Sequence, residues 1–134
     1  DRPPRPLDDG EVVDLGDKRL RWIATPHVPH GWEAGVFFEE TTSTLLCGDL
    51  FTQLGDGPAT RTESPMEQAI VAEDMFGYSS LAPSTVPTVE RLADLEPTTL
   101  ALMHGPTYQG DGRHWLGELA AEYRRRCDPT LVPT

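Results

Sequence analysis

His30, Asp49 and His104 are the residues with which this sequence could do chemistry. Imidazole is the commonest protein ligand for zinc and also suits iron. A carboxylate can bridge two ions, because its two oxygens point to different places. Each of the three residues falls just beyond an apolar run that reads as a strand, or in the loop that follows it. Scaffolds place metal ligands there, on fixed elements with a coordination position left open for water. Singly, each residue is ordinary: a loop histidine is usually solvated, Gly48-Asp49 is common turn chemistry, and His104-Gly105-Pro106 can be a plain turn. Their order and setting together favour a metal site. His27, in the same loop as His30, is the alternative ligand.

The elements that must position these residues can be read from periodicity and punctuation. Residues 11–14 and 18–24 flank Leu15-Gly16-Asp17 and read as a hairpin. In its second strand, Leu20, Trp22 and Ala24 alternate with Arg19, Arg21 and Ile23, which predicts Leu20, Trp22 and Ala24 on the well-buried face. Residues 35–39 and 44–47 flank a polar turn and form a second hairpin. Its strands are more continuously apolar, as in a sheet covered on both faces. Residues 52–63 read as a Gly-rich loop.

Ser64-Pro65-Met66-Glu67 is a helix start with a capping box, and Gly77 is its stop. Thr85 to Leu95 predicts a second helix, with Val86, Val89, Leu92 and Ala93 on one face. Thr98 to Met103 is a short strand. Asp111 caps a third helix through about Cys127, with Leu116, Ala120, Tyr123 and Cys127 on one stripe. Hairpins followed by helix, helix, strand and helix predict an α/β fold: a mixed sheet with helices covering one face.

Bulk properties exclude several functions. The net charge is −11, and the one basic cluster, Arg124-Arg125-Arg126, complements the negative end of the third helix, so nucleic acid is not a partner. No apolar run approaches a membrane span. Cys47 and Cys127 form no C-x-x-C pair, which predicts two buried, reduced thiols and a cytoplasmic protein. Gly55-x-Gly57 lacks the strand–loop–helix setting of a phosphate site. His114 reads as a surface residue. Residues 1–10 carry three prolines and read as a linker or extended arm, and residues 129–134 as a tail. A chain of 134 residues without an initiating Met suggests a fragment of something longer.

With these motifs in order, the chain resembles the C-terminal half of the metallo-β-lactamase superfamily, an αββα sandwich of two similar halves. The resemblance rests on the loop Thr25-Pro26-His27-Val28-Pro29-His30-Gly31, the strand pair ending in Leu46-Cys47-Gly48-Asp49-Leu50-Phe51, and Met103-His104-Gly105-Pro106. It spans residues 11–128 and implies Asp49 as a bridging ligand, with His30 and His104 holding one metal ion each. In the register of the superfamily's hydrolases His27 would bind. In the register of its flavodiiron oxygen reductases His30 would, with Glu33 at an acidic position. The separation of 19 residues between His30 and Asp49 is similar to the flavodiiron type and favours His30. Trp32 and Tyr108 are expected to wall the substrate pocket.

One departure is large: the superfamily's His-x-His-x-Asp-His motif is absent from these residues. The resemblance therefore implies a half-site, completed by an N-terminal half that carries that motif. The leading expectation is part of a metal-dependent hydrolase using two zinc ions and a metal-activated water. Its small-molecule substrate would be an ester, amide, lactam or phosphoester, and the fragment alone would be inactive. The alternatives are a non-haem di-iron, oxygen-binding domain, and a metal-free structural or interaction domain. A separated half exposes the sheet face that its twin would cover and is expected to form homodimers.

Overall fold

Alternation along the strands, and the register between them, decides which side chains this fold buries. The computed structural model describes residues 2–128 and 130. Its strands are β1 (Val12–Asp14), β2 (Arg19–Ala24), β3 (Gly35–Glu39), β4 (Thr44–Leu46), β5 (Thr60–Arg61), β6 (Thr99–Ala101) and β7 (Thr107–Gln109). Its helices are α1 (Met66–Phe76), α2 (Thr85–Ala93) and α3 (Gly112–Cys127). The strands form one mixed sheet in the order β1-β2-β3-β4-β6-β7-β5. Pairing is antiparallel from β1 through β4, parallel between β4 and β6, antiparallel between β6 and β7, and parallel between β7 and β5.

Directly paired residues share a face. Ile23 opposes Val36, and Phe38, Leu45, Leu100 and Tyr108 form a row across the sheet. All six are buried, in one cluster with Met66 and Ala69 of α1, Val89 and Leu92 of α2, and Leu116, Leu119 and Tyr123 of α3. Each such side chain contributes roughly 1.5–3 kcal/mol on burial, so this face sets the strand phase. The opposite face carries a second row, Trp22, Phe37, Leu46 and Ala101. Among the described residues no helix covers it: none of the four is buried, and Leu46 is 41 % exposed. The expected phase of β2 is thus reversed. Ile23 faces the core, while Leu20, Trp22 and Ala24 lie on the open side, where Trp22 packs edge-on against Phe37 with ring centroids 5.0 Å apart.

Local signals govern the helix ends. Ser64 accepts the Met66 N–H at 3.1 Å, and Gly77, at φ 54°, closes α1 by donating to the Glu73 carbonyl. Asp111 caps α3 by accepting the His114 N–H at 2.9 Å. Cys127, expected inside, is exposed at the end of α3, one turn beyond the last buried residue, Tyr123; Cys47 is buried, and neither is disulfide-bonded. The arm is not a free linker at its inner end. Asp9 accepts the Ala24 N–H at 2.9 Å and pairs with Arg91 of α2 at 2.8 Å. Of the expected tail, only Thr130 lies within the described residues. Among the described residues, no helix is long and apolar enough to cross a membrane.

Candidate metal centre

Strand direction brings the three candidate residues to one edge. β2, β4 and β6 run the same way, because β2 and β4 are both antiparallel to β3 and β4 is parallel to β6. Their C-terminal ends therefore share an edge, the usual position for ligand sites in sheets of this kind. Leu46 pairs with Ala101, and Asp49 and His104 each lie three residues further on, so parallel register alone sets them side by side. Two bonds extend the pairing past the strands: Cys47 donates to the Ala101 carbonyl at 2.9 Å, and Met103 to the Gly48 carbonyl at 3.2 Å. Gly48, at φ 55°, makes the turn that releases Asp49 from the sheet. Phe51, fully buried at φ 60°, holds a left-handed conformation unusual for a bulky side chain. Such positions cost of order 1–3 kcal/mol and cluster near functional sites.

The third residue arrives on a loop closed by its own bonds. Thr25 donates its N–H to Ala34 at 2.8 Å and its hydroxyl to Val28 at 3.1 Å, and both Thr25 and Val28 are buried. His27 donates its N–H to the Trp32 carbonyl at 2.8 Å. This folding places His30, not His27, at Asp49. His30 Nε2 lies 2.8 Å from Asp49 Oδ2, and His104 Nε2 lies 3.2 Å from Asp49 Oδ1. The His27 side chain is exposed and does not line the cleft.

Proton bookkeeping says what this arrangement can hold. His30 Nδ1 lies 3.0 Å from the Tyr78 carbonyl and Nε2 2.8 Å from Asp49 Oδ2, and both partners can only accept, so each ring nitrogen faces an acceptor. When Nδ1 carries the proton and donates it to the Tyr78 carbonyl, the Nε2 lone pair faces a carboxylate oxygen of Asp49. Two acceptors in contact require a proton or a cation between them. Tetrahedral zinc ligands about 2.0–2.2 Å from the metal lie roughly 3.3–3.6 Å apart, so at 2.8 and 3.2 Å these atoms sit at hydrogen-bond distance and would open slightly to admit an ion. Each Asp49 oxygen faces a different imidazole, which suits a bridging carboxylate. The fit is partial: no three His, Cys, Asp or Glu side chains among the described residues converge as a metal-binding group. Each ion would receive one nitrogen and one oxygen from this chain, short of the four ligands zinc takes.

The edge opens into a cleft of about 400 Å³, lined by the three residues with Trp32, Thr52, Phe76 and Tyr78. Trp32 stacks on His30, with ring centroids 4.3 Å apart and planes at 17°. Tyr108 does not join this wall. It is buried on the helix-covered face, edge-on to Trp115 at 6.2 Å. Glu33 is exposed and does not line the cleft either. Phe76, Tyr78 and Thr52 are the residues that sequence reasoning missed. The glycine stop at Gly77 marks where the chain turns, but not the surface on which the following turn docks. Burial pushes the Tyr78 phenol up to about 12, and the Glu73 charge adds to the shift.

The class defined so far is an α/β protein with a His–Asp–His row at the carboxyl edge of a mixed sheet. No family model and no curated protein matches its sequence. Solved structures do match. A metallo-β-lactamase family protein from Thermus thermophilus is 28% identical with a TM-score of 0.59, over 93% of this chain and 36% of its own. The apo chemotaxis sensor ODP from T. denticola is 20% identical with a TM-score of 0.67, over 83% and 48%. The metal-soaked Flv1 flavodiiron core from Synechocystis sp. PCC6803 is 22% identical with a TM-score of 0.67, over 92% and 31%. The chain has the metallo-β-lactamase fold, and the resemblance to its C-terminal half read from the sequence is borne out. It spans about a third to a half of the length of these proteins.

Proposed function

We propose that this chain supplies one half of a two-metal centre in a metal-dependent hydrolase, with Asp49 as the bridge and His30 and His104 as one ligand to each ion. The observation that carries the reading is the Asp49 carboxylate, whose two oxygens face different imidazoles at 2.8 and 3.2 Å. Two bound zinc ions would supply hydroxide near neutral pH and polarise a carbonyl or phosphoryl oxygen of an ester, amide, lactam or phosphoester. The chain's own residues prepare that site. The Tyr78 carbonyl can accept a hydrogen bond from His30 Nδ1, which would leave Nε2 to face an ion. Trp32 stacks on His30 and, with Phe76, would offer an apolar wall to the substrate. His104 is 55 % exposed against 19 % for His30, so the open side of the site is the side of His104.

The remaining ligands belong to a segment outside these residues, such as the N-terminal half with its His-x-His-x-Asp-His motif. The chain's share of the proteins it matches supports this, and by itself it should not hydrolyse substrates. A second reading is a di-iron, oxygen-binding centre. It is supported by the His30–Asp49 separation and by neighbours that include a peroxy di-iron form of the sensor ODP. His30 rather than His27 at Asp49 also suits that register, while the exposed position of Glu33 counts against it. Metal content of the protein isolated together with its missing half separates the two. Zinc without iron, with hydrolysis of test esters or lactams, supports the hydrolase; iron without zinc overturns it.

A further inference from the structure

Glu73 is an acid in the last turn of α1 and is only 6 % exposed. A carboxylate is not left inside a fold without donors, and Glu73 spends both oxygens on one residue. Its Oε1 accepts the Ser79 N–H at 3.2 Å, and its Oε2 accepts the Ser79 hydroxyl at 2.8 Å. Its backbone carbonyl accepts the Gly77 N–H at 2.8 Å. The Ser79 hydroxyl also lies 3.2 Å from that of Tyr123, buried in α3. Glu73 thus fixes both flanks of Tyr78.

The turn so fixed is the one that braces the His30 loop. Tyr78 presents its carbonyl to His30 Nδ1 at 3.0 Å. Ser80 donates its N–H to the Pro29 carbonyl at 2.6 Å and its hydroxyl to the His27 carbonyl. Three bonds therefore join residues 78–80 to residues 27–30, across about fifty positions of sequence. The residue that decides where this turn sits is one turn back on α1, and it touches neither His30 nor Asp49.

We propose that Glu73 is a positioning residue for His30: by clamping Ser79 it aims the Tyr78 carbonyl, and through that carbonyl it sets the ring orientation of His30. The functional meaning of this rests on the reading of His30 as a ligand, but the test needs no metal. Partners of this kind change metal affinity by about 10–100-fold. Glu73→Gln turns an amide N–H₂ toward a donor of Ser79 and loosens the clamp. Ser79→Ala removes one of its two bonds.

The experiment is 15N–1H correlation of the imidazole rings in 15N-histidine-labelled protein, with chelator present and above neutral pH. In the wild type, His30 Nδ1 should carry a proton in slow exchange, held by the Tyr78 carbonyl. In Glu73→Gln that proton should exchange faster and its signal should move toward that of an unbonded ring. Ser79→Ala should move it the same way by less, and His114 should stay put. A turn that merely stabilises α1 would lower the melting temperature and leave the His30 Nδ1 proton unmoved, which overturns the proposal. So does a wild type with no slowly exchanging proton on Nδ1. Loss of folding in either variant, read by circular dichroism, also counts against it, because Glu73 would then be a stability residue first. Protein that binds no zinc yet shows the faster exchange sinks the metal reading alone; protein that binds zinc with an unmoved His30 sinks this proposal alone.

Discussion

Asp49 meets both histidines because one carboxylate offers two oxygens and the parallel register sets His104 beside it. Asp49→Asn keeps the shape but replaces one acceptor with an amide donor. It should weaken metal binding by at least the roughly 10–100-fold that outer partners of ligands are worth. His104→Ala should weaken it less, because His104 lacks the brace that His30 has in Tyr78. Competition against a chelating dye ranks the variants; an Asp49→Asn protein that binds as tightly as wild type contradicts the bridging role. At this scale the three residues were legible, because histidine and aspartate after apolar runs are visible in one dimension. The choice of His30 over His27 came from the flavodiiron-like register and the 19-residue spacing to Asp49. Tyr78 and Glu73 were not legible, because they reach His30 through a turn docked some 48 residues away. Tyr108 was misplaced for a related reason: its direction depends on the register of β7, and three residues carry no readable period.

Elements are held by short, local devices that variants can remove one at a time. At the β3–β4 turn, Glu39 folds its carboxylate onto its own backbone. The hydroxyls of Thr41 and Thr42 and the N–H groups of both residues hold it at about 2, against an ordinary 4.5. A depressed folded value means a contribution fully present above pH 4.5 and lost as pH falls toward 2. Glu39→Gln should therefore be less stable than wild type at neutral pH, with the gap closing between pH 4.5 and 2 in denaturant titrations. A gap that is flat across that window would show that the turn does not use the charge. At the start of α3, a Cβ on Gly112 would lie 2.5 Å from the Pro97 carbonyl oxygen, a backbone atom that cannot swing aside. Gly112→Ala should cost about 1–3 kcal/mol by urea unfolding; a neutral result would mean that the helix can slide. The helices and both hairpins were legible from caps, stops and periodicity. β5 and β7, two and three residues long, were not, and the phase of β2 was inverted. Trp22 and Leu20 look like core in a sequence, and only the covering helices show that Ile23 is the one inside.

Taken whole, the molecule is a sheet with helices on one face and an apolar row, Trp22, Phe37, Leu46 and Ala101, on the other. Such a face is a candidate interface. In the isolated chain the expected outcome is self-association, and Leu46→Lys should return it to monomer in sedimentation velocity without loss of secondary structure. A wild type that stays monomeric at high concentration would contradict this. The metallo-β-lactamase fold was legible at this scale because the ordered trio of motifs survives even though the sequence matches no family model. Asp49 is proposed to organise a metal site, and calorimetric titration of zinc into wild type and Asp49→Ala tests that role most directly. Wild type should show measurable, weak zinc binding that the substitution abolishes; equal binding by the two proteins would contradict the role of Asp49.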